Sequence, residues 1–176
     1  MTIPNLISII RLAMVPFIVW TLLDGQTMLA FSLFVVVGIS DGVDGFIARK
    51  FNQQSELGAY LDPLADKTLL MTMFVALGYM EAIPLWLVVI VLTRDVLILA
   101  GVMVAFVLGD PIEIKPLFVS KANTAVQIVL VALALSMPAF GLELGVIHLV
   151  VVWTCAILTV ASAFAYFVAW TSHVTD

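Results

Sequence analysis

The sequence predicts an all-α integral membrane protein, a bundle of six transmembrane helices preceded by a short interfacial amphipathic helix, and three observations lead there. Of 176 residues, 64% are hydrophobic and only 11% charged. The mean hydropathy of +1.22 is beyond what a water-soluble chain of this size carries. The apolar stretches are each close to the roughly 20 residues a spanning helix needs, and polar or Gly/Pro clusters separate them.

The elements follow in order. In TIPNLISIIR, residues 2–11, polar and apolar faces alternate, Pro4 suits a helix start and Arg11 can reach lipid head groups, so residues 1–11 are expected to lie flat at the interface. Spans are then expected near 12–23, 28–50, 58–80, 84–108, 119–137 and 145–171. They fill the chain and leave one membrane domain, 1–176, with no room for a separate soluble domain. A basic n-region and a small-residue cleavage site are absent ahead of the first span, which is therefore expected to be retained. Gly38 and Gly42, spaced as GxxxG, fit ordinary small-residue helix packing. The single cysteine, Cys155, excludes a disulfide framework within one chain and suits a packing role.

The net charge of −5 matters less than where the charges fall. Arg11, Arg49, Lys50, Lys115 and Lys121 gather at one set of connections, while Asp24, Glu81 and Glu143 mark the other. The positive-inside rule then places both termini in the cytoplasm, in a bacterial inner membrane or its equivalent. Cations this sparse give no reason to expect a nucleic-acid partner.

Two spans carry ionisable residues that a purely structural helix would exclude: Asp41, Asp44 and Arg49 in the second, and Asp62, Asp66 and Lys67 in the third. A mid-span Asp costs about +2.5 to +3.5 kcal/mol even on the lower scales, so four of them need compensation. Asp41 and Asp44 are three apart and Asp62 and Asp66 four apart, and each pair therefore shares one helical face. The short polar stretch from Lys50 to Glu56 makes the two helices antiparallel neighbours, so that the four carboxylates can converge. Packed carboxylates stay ionised only beside cations. Hard oxygen ligands without His or Cys favour Mg2+ or Mn2+, and four carboxylates suit two ions about 3.5–4 Å apart, the clamp used in phosphoryl chemistry. The pocket should open to the cytoplasmic side.

Residues 41–66, DGVDGFIARKFNQQSELGAYLDPLAD, place Asp41, Asp44, Gly45, Ala48, Arg49, Gly58, Asp62 and Asp66 in one pattern: Asp-x-x-Asp-Gly-x-x-Ala-Arg, then Gly, Asp and Asp. This resembles the complete signature of the CDP-alcohol phosphatidyltransferases, and TIPNLISIIR with the six-helix plan extends the likeness over nearly the whole chain. The resemblance implies that Asp41, Asp44 and Asp62 bind the metal pair, and that Asp66 binds metal and acts as the catalytic base. It implies too that Gly45, Ala48, Arg49 and Gly58 line the pocket for the CDP moiety, with Asn5 and Lys67 as weaker contacts. The implied reaction moves a phosphatidyl group from CDP-diacylglycerol to an alcohol and releases CMP, in an enzyme that is commonly a homodimer.

The acceptor is read from the remaining polar residues. Arg94, with Asp95 in the fourth span, can pair with a neighbouring carboxylate or hold an anionic substrate, and Lys121 starts the fifth span. Family members that make phosphatidylglycerol phosphate carry a second Arg eight positions after the first and a Lys two positions after the one matching Lys121. Here those positions hold Val102 and Asn123. The segments TRDVLI and KPLFVSKANTAVQ instead resemble the cardiolipin synthases of the family, whose acceptor, phosphatidylglycerol, carries a single negative charge. Phosphatidylglycerol phosphate synthesis from glycerol 3-phosphate is the alternative. A secondary transporter, from a different class, would use intramembrane carboxylates to relay protons or bind sodium, but it expects inverted repeats and interrupted helices, and the sequence has neither.

Overall fold

The structure is a computed structural model that describes the backbone of residues 3–50, 56–107 and 118–175, and the side chains of 7–40, 65–100 and 118–168. The described residues form six α-helices and no strand: α1 (Ile3–Leu23), α2 (Thr27–Lys50), α3 (Glu56–Tyr79), α4 (Leu85–Val107), α5 (Phe118–Phe140) and α6 (Gly145–Thr175). One expectation changes at the N-terminus. Instead of an interfacial helix over 1–11 followed by a span from 12, a single helix runs from Ile3 to Leu23, continuous through Pro16. Nothing in TIPNLISIIRLAMV breaks it, because Pro4 lies in the first turn, where its missing N–H is no loss.

Turns end the helices where the sequence supplies left-handed residues. Beyond α1, Gly25 takes φ +81°, and the Gln26 N–H donates to the Thr21 carbonyl at 2.9 Å. Beyond α5, Gly141 takes φ +63°, and the Leu142 N–H donates to the Met137 carbonyl at 2.9 Å. Both close the helix by the backward bond that a glycine just past the last turn permits.

The chain forms two compact units, Met1–Met80 with Val131–Glu143, and Glu81–Leu130 with Leu144–Asp176. In the first, α1 packs against α2 and α3. Ser8, Arg11, Val15, Ile18 and Leu22 are all buried, alternating three and four apart along one seam of α1. Leu69, Leu70, Met73, Phe74 and Leu77 form the buried face of α3. At Gly38 a built Cβ meets nothing within 4 Å among the described residues, while Gly42 lies outside those whose side chains are described.

In the second unit α4 packs against α6. Leu87, Val88 and Val91 are buried on α4, and Val152, Cys155, Ala156, Thr159 and Ser162 on α6. The Trp86 and Trp153 rings lie 5.4 Å apart. Cys155 is a free thiol in this packed face, as a packing residue should be.

Among the described residues, two helical stretches are long and apolar enough to cross a membrane, Phe118–Phe140 and Gly145–Val168. Only 33% and 28% of their apolar windows are buried inside the protein, unlike the core helices of a soluble domain. Large apolar side chains such as Val146, Ile157 and Phe164 are exposed along α6, and a bilayer is the solvent that suits them.

Candidate active site

The signature residues sit on two helices of the first unit. Asp41, Asp44, Gly45, Ala48 and Arg49 lie in the last turns of α2, and Gly58, Asp62 and Asp66 in the first turns of α3. Both stretches are helical, so the three- and four-residue spacings put each pair of aspartates on one helical face. The side chains of residues 41–64, and that of Asn5 on α1, lie outside the described residues, so the meeting of the four carboxylates is not described. Among the described residues no group of three or more His, Cys, Asp or Glu side chains is gathered for a metal. The donor set still fits a hard divalent cation, since it consists of carboxylates at helical spacing.

Asp66 is the member of the quartet whose side chain is described, and it has a partner that sequence reasoning missed. Arg11 of α1 donates through Nη1 to Asp66 Oδ1, closing an ion pair across 55 positions of chain. The Arg11 side chain is only 2% exposed and that of Asp66 41%. The expectation that Arg11 reaches lipid head groups is therefore corrected: it points into the protein, onto the carboxylate expected to be the base. The signal was available in the spacing, because Arg11 falls on the same seam as Ser8, Val15, Ile18 and Leu22. Lys67, next along α3, is half-buried.

Among the described residues, the second unit holds another buried cation. Arg94 is 4% exposed on α4. It donates to the Asp95 carboxylate beside it, to the Ser120 hydroxyl of α5 at 2.6 Å and to the Ser162 hydroxyl of α6. The Tyr166 ring lies 5.7 Å from the guanidinium carbon, a cation–π distance. Of the two roles open to Arg94, pairing with Asp95 is realised, and the hydroxyls of Ser120 and Ser162 accept from its other Nη. One turn further, Thr159 Oγ1 donates to Asn123 Oδ1 at 2.9 Å, with both residues fully buried. Lys121 is exposed on the first turn of α5. Val102 lies outside the residues whose side chains are described.

The comparisons with known proteins agree with the signature. The sequence profile of the CDP-alcohol phosphatidyltransferases matches residues 1–174. The chain is 38% identical to a cardiolipin synthase (CMP-forming) of Rattus norvegicus, over 94% of this chain and 60% of that protein. It is 37% identical to the protein of the same description from Homo sapiens, with the same coverage. It is also 38% identical to a chloroplastic CDP-diacylglycerol–glycerol-3-phosphate 3-phosphatidyltransferase 1 of Oryza sativa subsp. japonica, over 94% of this chain and 56% of that one. The chain thus spans about 60% of the length of these relatives. With almost every residue inside the profile and the signature complete on α2 and α3, the chain belongs to the CDP-alcohol phosphatidyltransferase family, in which it is most like the cardiolipin synthases.

Proposed function

We propose that the protein transfers a phosphatidyl group from CDP-diacylglycerol to a hydroxyl of phosphatidylglycerol, giving cardiolipin and CMP. The observation that carries this reading is the complete signature on the C-terminal part of α2 and the N-terminal part of α3, within a chain similar to relatives described as cardiolipin synthases. The six helices cross the bilayer, both termini are cytoplasmic, the site opens to that side, and the enzyme works as a homodimer. Membrane placement is supported by α5 and α6, and the sidedness by the distribution of Lys and Arg.

Each residue has a defined task. Asp41, Asp44, Asp62 and Asp66 would hold two Mg2+ or Mn2+ ions, which would supply Lewis-acid polarisation of the pyrophosphate and stabilisation of charge on the leaving CMP. Gly45, Ala48 and Gly58 leave room for the CDP moiety, and Arg49 pairs with its phosphate, with Asn5 and Lys67 nearby. Asp66 takes the proton from the acceptor hydroxyl. That oxygen attacks the phosphorus bearing diacylglycerol, the new P–O bond forms as the bond to the CMP phosphate breaks in line, and no covalent enzyme intermediate arises.

Arg94 and Lys121 take the acceptor head group. Asp95 already offsets the charge of Arg94, and Val102 and Asn123 stand where extra cations would help to hold a dianion. A phosphodiester with one negative charge suits that balance better than the phosphate of glycerol 3-phosphate. The second reading, phosphatidylglycerol phosphate synthesis, is favoured by the similarity to the rice transferase. Labelled CDP-diacylglycerol offered with each acceptor separates the two. Consumption of phosphatidylglycerol with formation of cardiolipin is expected, and consumption of glycerol 3-phosphate alone would select the second reading.

A further inference from the structure

A buried arginine in a helix seam is costly, and an apolar side chain of similar length would join α1 to α3 without desolvating a charge. Arg11 nonetheless occupies the seam that Ser8, Val15, Ile18 and Leu22 share, and it ends on Asp66 of α3. Its surroundings enclose it, while the Asp66 side chain is two-fifths exposed. The partner with less freedom therefore sets the direction of the other. A charge-assisted N–H···O bond from a planar guanidinium fixes orientation as well as distance.

We propose that Arg11 is a positioning residue: its buried guanidinium holds the Asp66 carboxylate in the orientation in which it serves the reaction. The inference rests on Asp66 being the base and a metal ligand, as the proposed function has it. Arg11 touches neither substrate nor metal in this scheme and acts through Asp66. A carboxylate free to turn about its side-chain torsions would spend only part of its time aimed at the acceptor hydroxyl, and misplacement by about 1 Å can cost on the order of 100-fold in rate. The plain alternative is that Arg11 only fastens α1 to α3, in which case its loss would lower stability without a specific effect on Asp66.

The full chain in detergent is compared as wild type, Arg11→Lys, Arg11→Gln, Asp66→Asn and Arg11→Gln/Asp66→Asn. The readouts are CMP release with kcat and KM resolved, and Mn2+ affinity by paramagnetic resonance. Arg11→Gln is expected to lose on the order of 10- to 100-fold in kcat with KM for CDP-diacylglycerol held within about twofold. Its Mn2+ affinity should fall, and that fall should vanish when Asp66 is already Asn, because the two residues act as one. Wild-type kcat in Arg11→Gln, or the same loss of Mn2+ affinity in both backgrounds, would overturn the proposal. Where Arg11→Gln does not fold, Arg11→Lys decides. It keeps the charge and the helix tie but loses the planar fork, so about a tenfold loss in kcat is expected, and wild-type turnover would overturn the proposal. Full turnover in Asp66→Asn would instead remove the reading of the site, and this inference with it. Inactive Asp66→Asn beside fully active Arg11 variants would remove the inference alone.

Discussion

Arg94 of α4 donates a hydrogen bond to the hydroxyl of Ser162 on α6, 68 positions further along the chain, while its other Nη pairs with Asp95. Ser120 of α5 accepts from the same guanidinium, so one cation joins three helices of the second unit. Charge at such a site is retained only while its partners remain, because a buried ion left without its counter-charge pays for desolvation with no return.

Replacing Arg94 with Gln should therefore destabilise the protein by about 3 kcal/mol, since it leaves the buried Asp95 without its cation. The double substitution Arg94→Gln/Asp95→Asn should recover part of that loss. Thermal unfolding in detergent, followed by tryptophan fluorescence, measures both. A double variant as unstable as the single would show that the ion pair is not the unit that matters.

The Thr159–Asn123 bond is fully buried. Thr159→Val removes the donor and leaves the Asn123 carbonyl oxygen buried without it, at a cost of about 1–3 kcal/mol. Thr159→Val with Asn123→Leu removes both partners and is expected to lie closer to wild type than Thr159→Val alone. The same unfolding measurement checks this, and additive losses would contradict it.

Two glycines should respond in opposite directions. Gly25 has φ +81° and open space around a built Cβ, so Gly25→Ala meets no atom but forces a left-handed backbone, at about 1 kcal/mol. Gly38 sits inside α2 with nothing within 4 Å, so Gly38→Ala should stabilise the helix by about 0.5–1 kcal/mol. A marked loss at Gly38 would point to a neighbour outside the described residues.

Much of the fold was legible because apolar runs and Gly/Pro breaks act locally. Helices were expected over residues 28–50 and 84–108, and α2 covers Thr27–Lys50 and α4 Leu85–Val107. The continuity of α1 across residue 11 was not legible, because a change from interfacial to spanning character is a property of the solvent and leaves no mark on helix continuity. In the site, the helical placement of all four aspartates followed from spacing alone. The partner of Asp66 did not, because Arg11 lies 55 positions away and an arginine near a chain start has lipid phosphate as an equally good partner. Arg94 shows the same limit: its neighbour Asp95 is adjacent in sequence, but Ser120, Ser162 and Tyr166 are brought in by helix packing.

Metal-dependent CMP release from CDP-diacylglycerol by the full chain, with phosphatidylglycerol as acceptor, decides whether the aspartate quartet drives cardiolipin synthesis when wild type and Asp66→Asn are run side by side with and without EDTA. Wild type should form CMP and cardiolipin in equal amounts, stop in EDTA, and recover when Mg2+ or Mn2+ is restored, while folded Asp66→Asn should form neither. Turnover that EDTA leaves untouched, or a wild-type rate in Asp66→Asn, would contradict it.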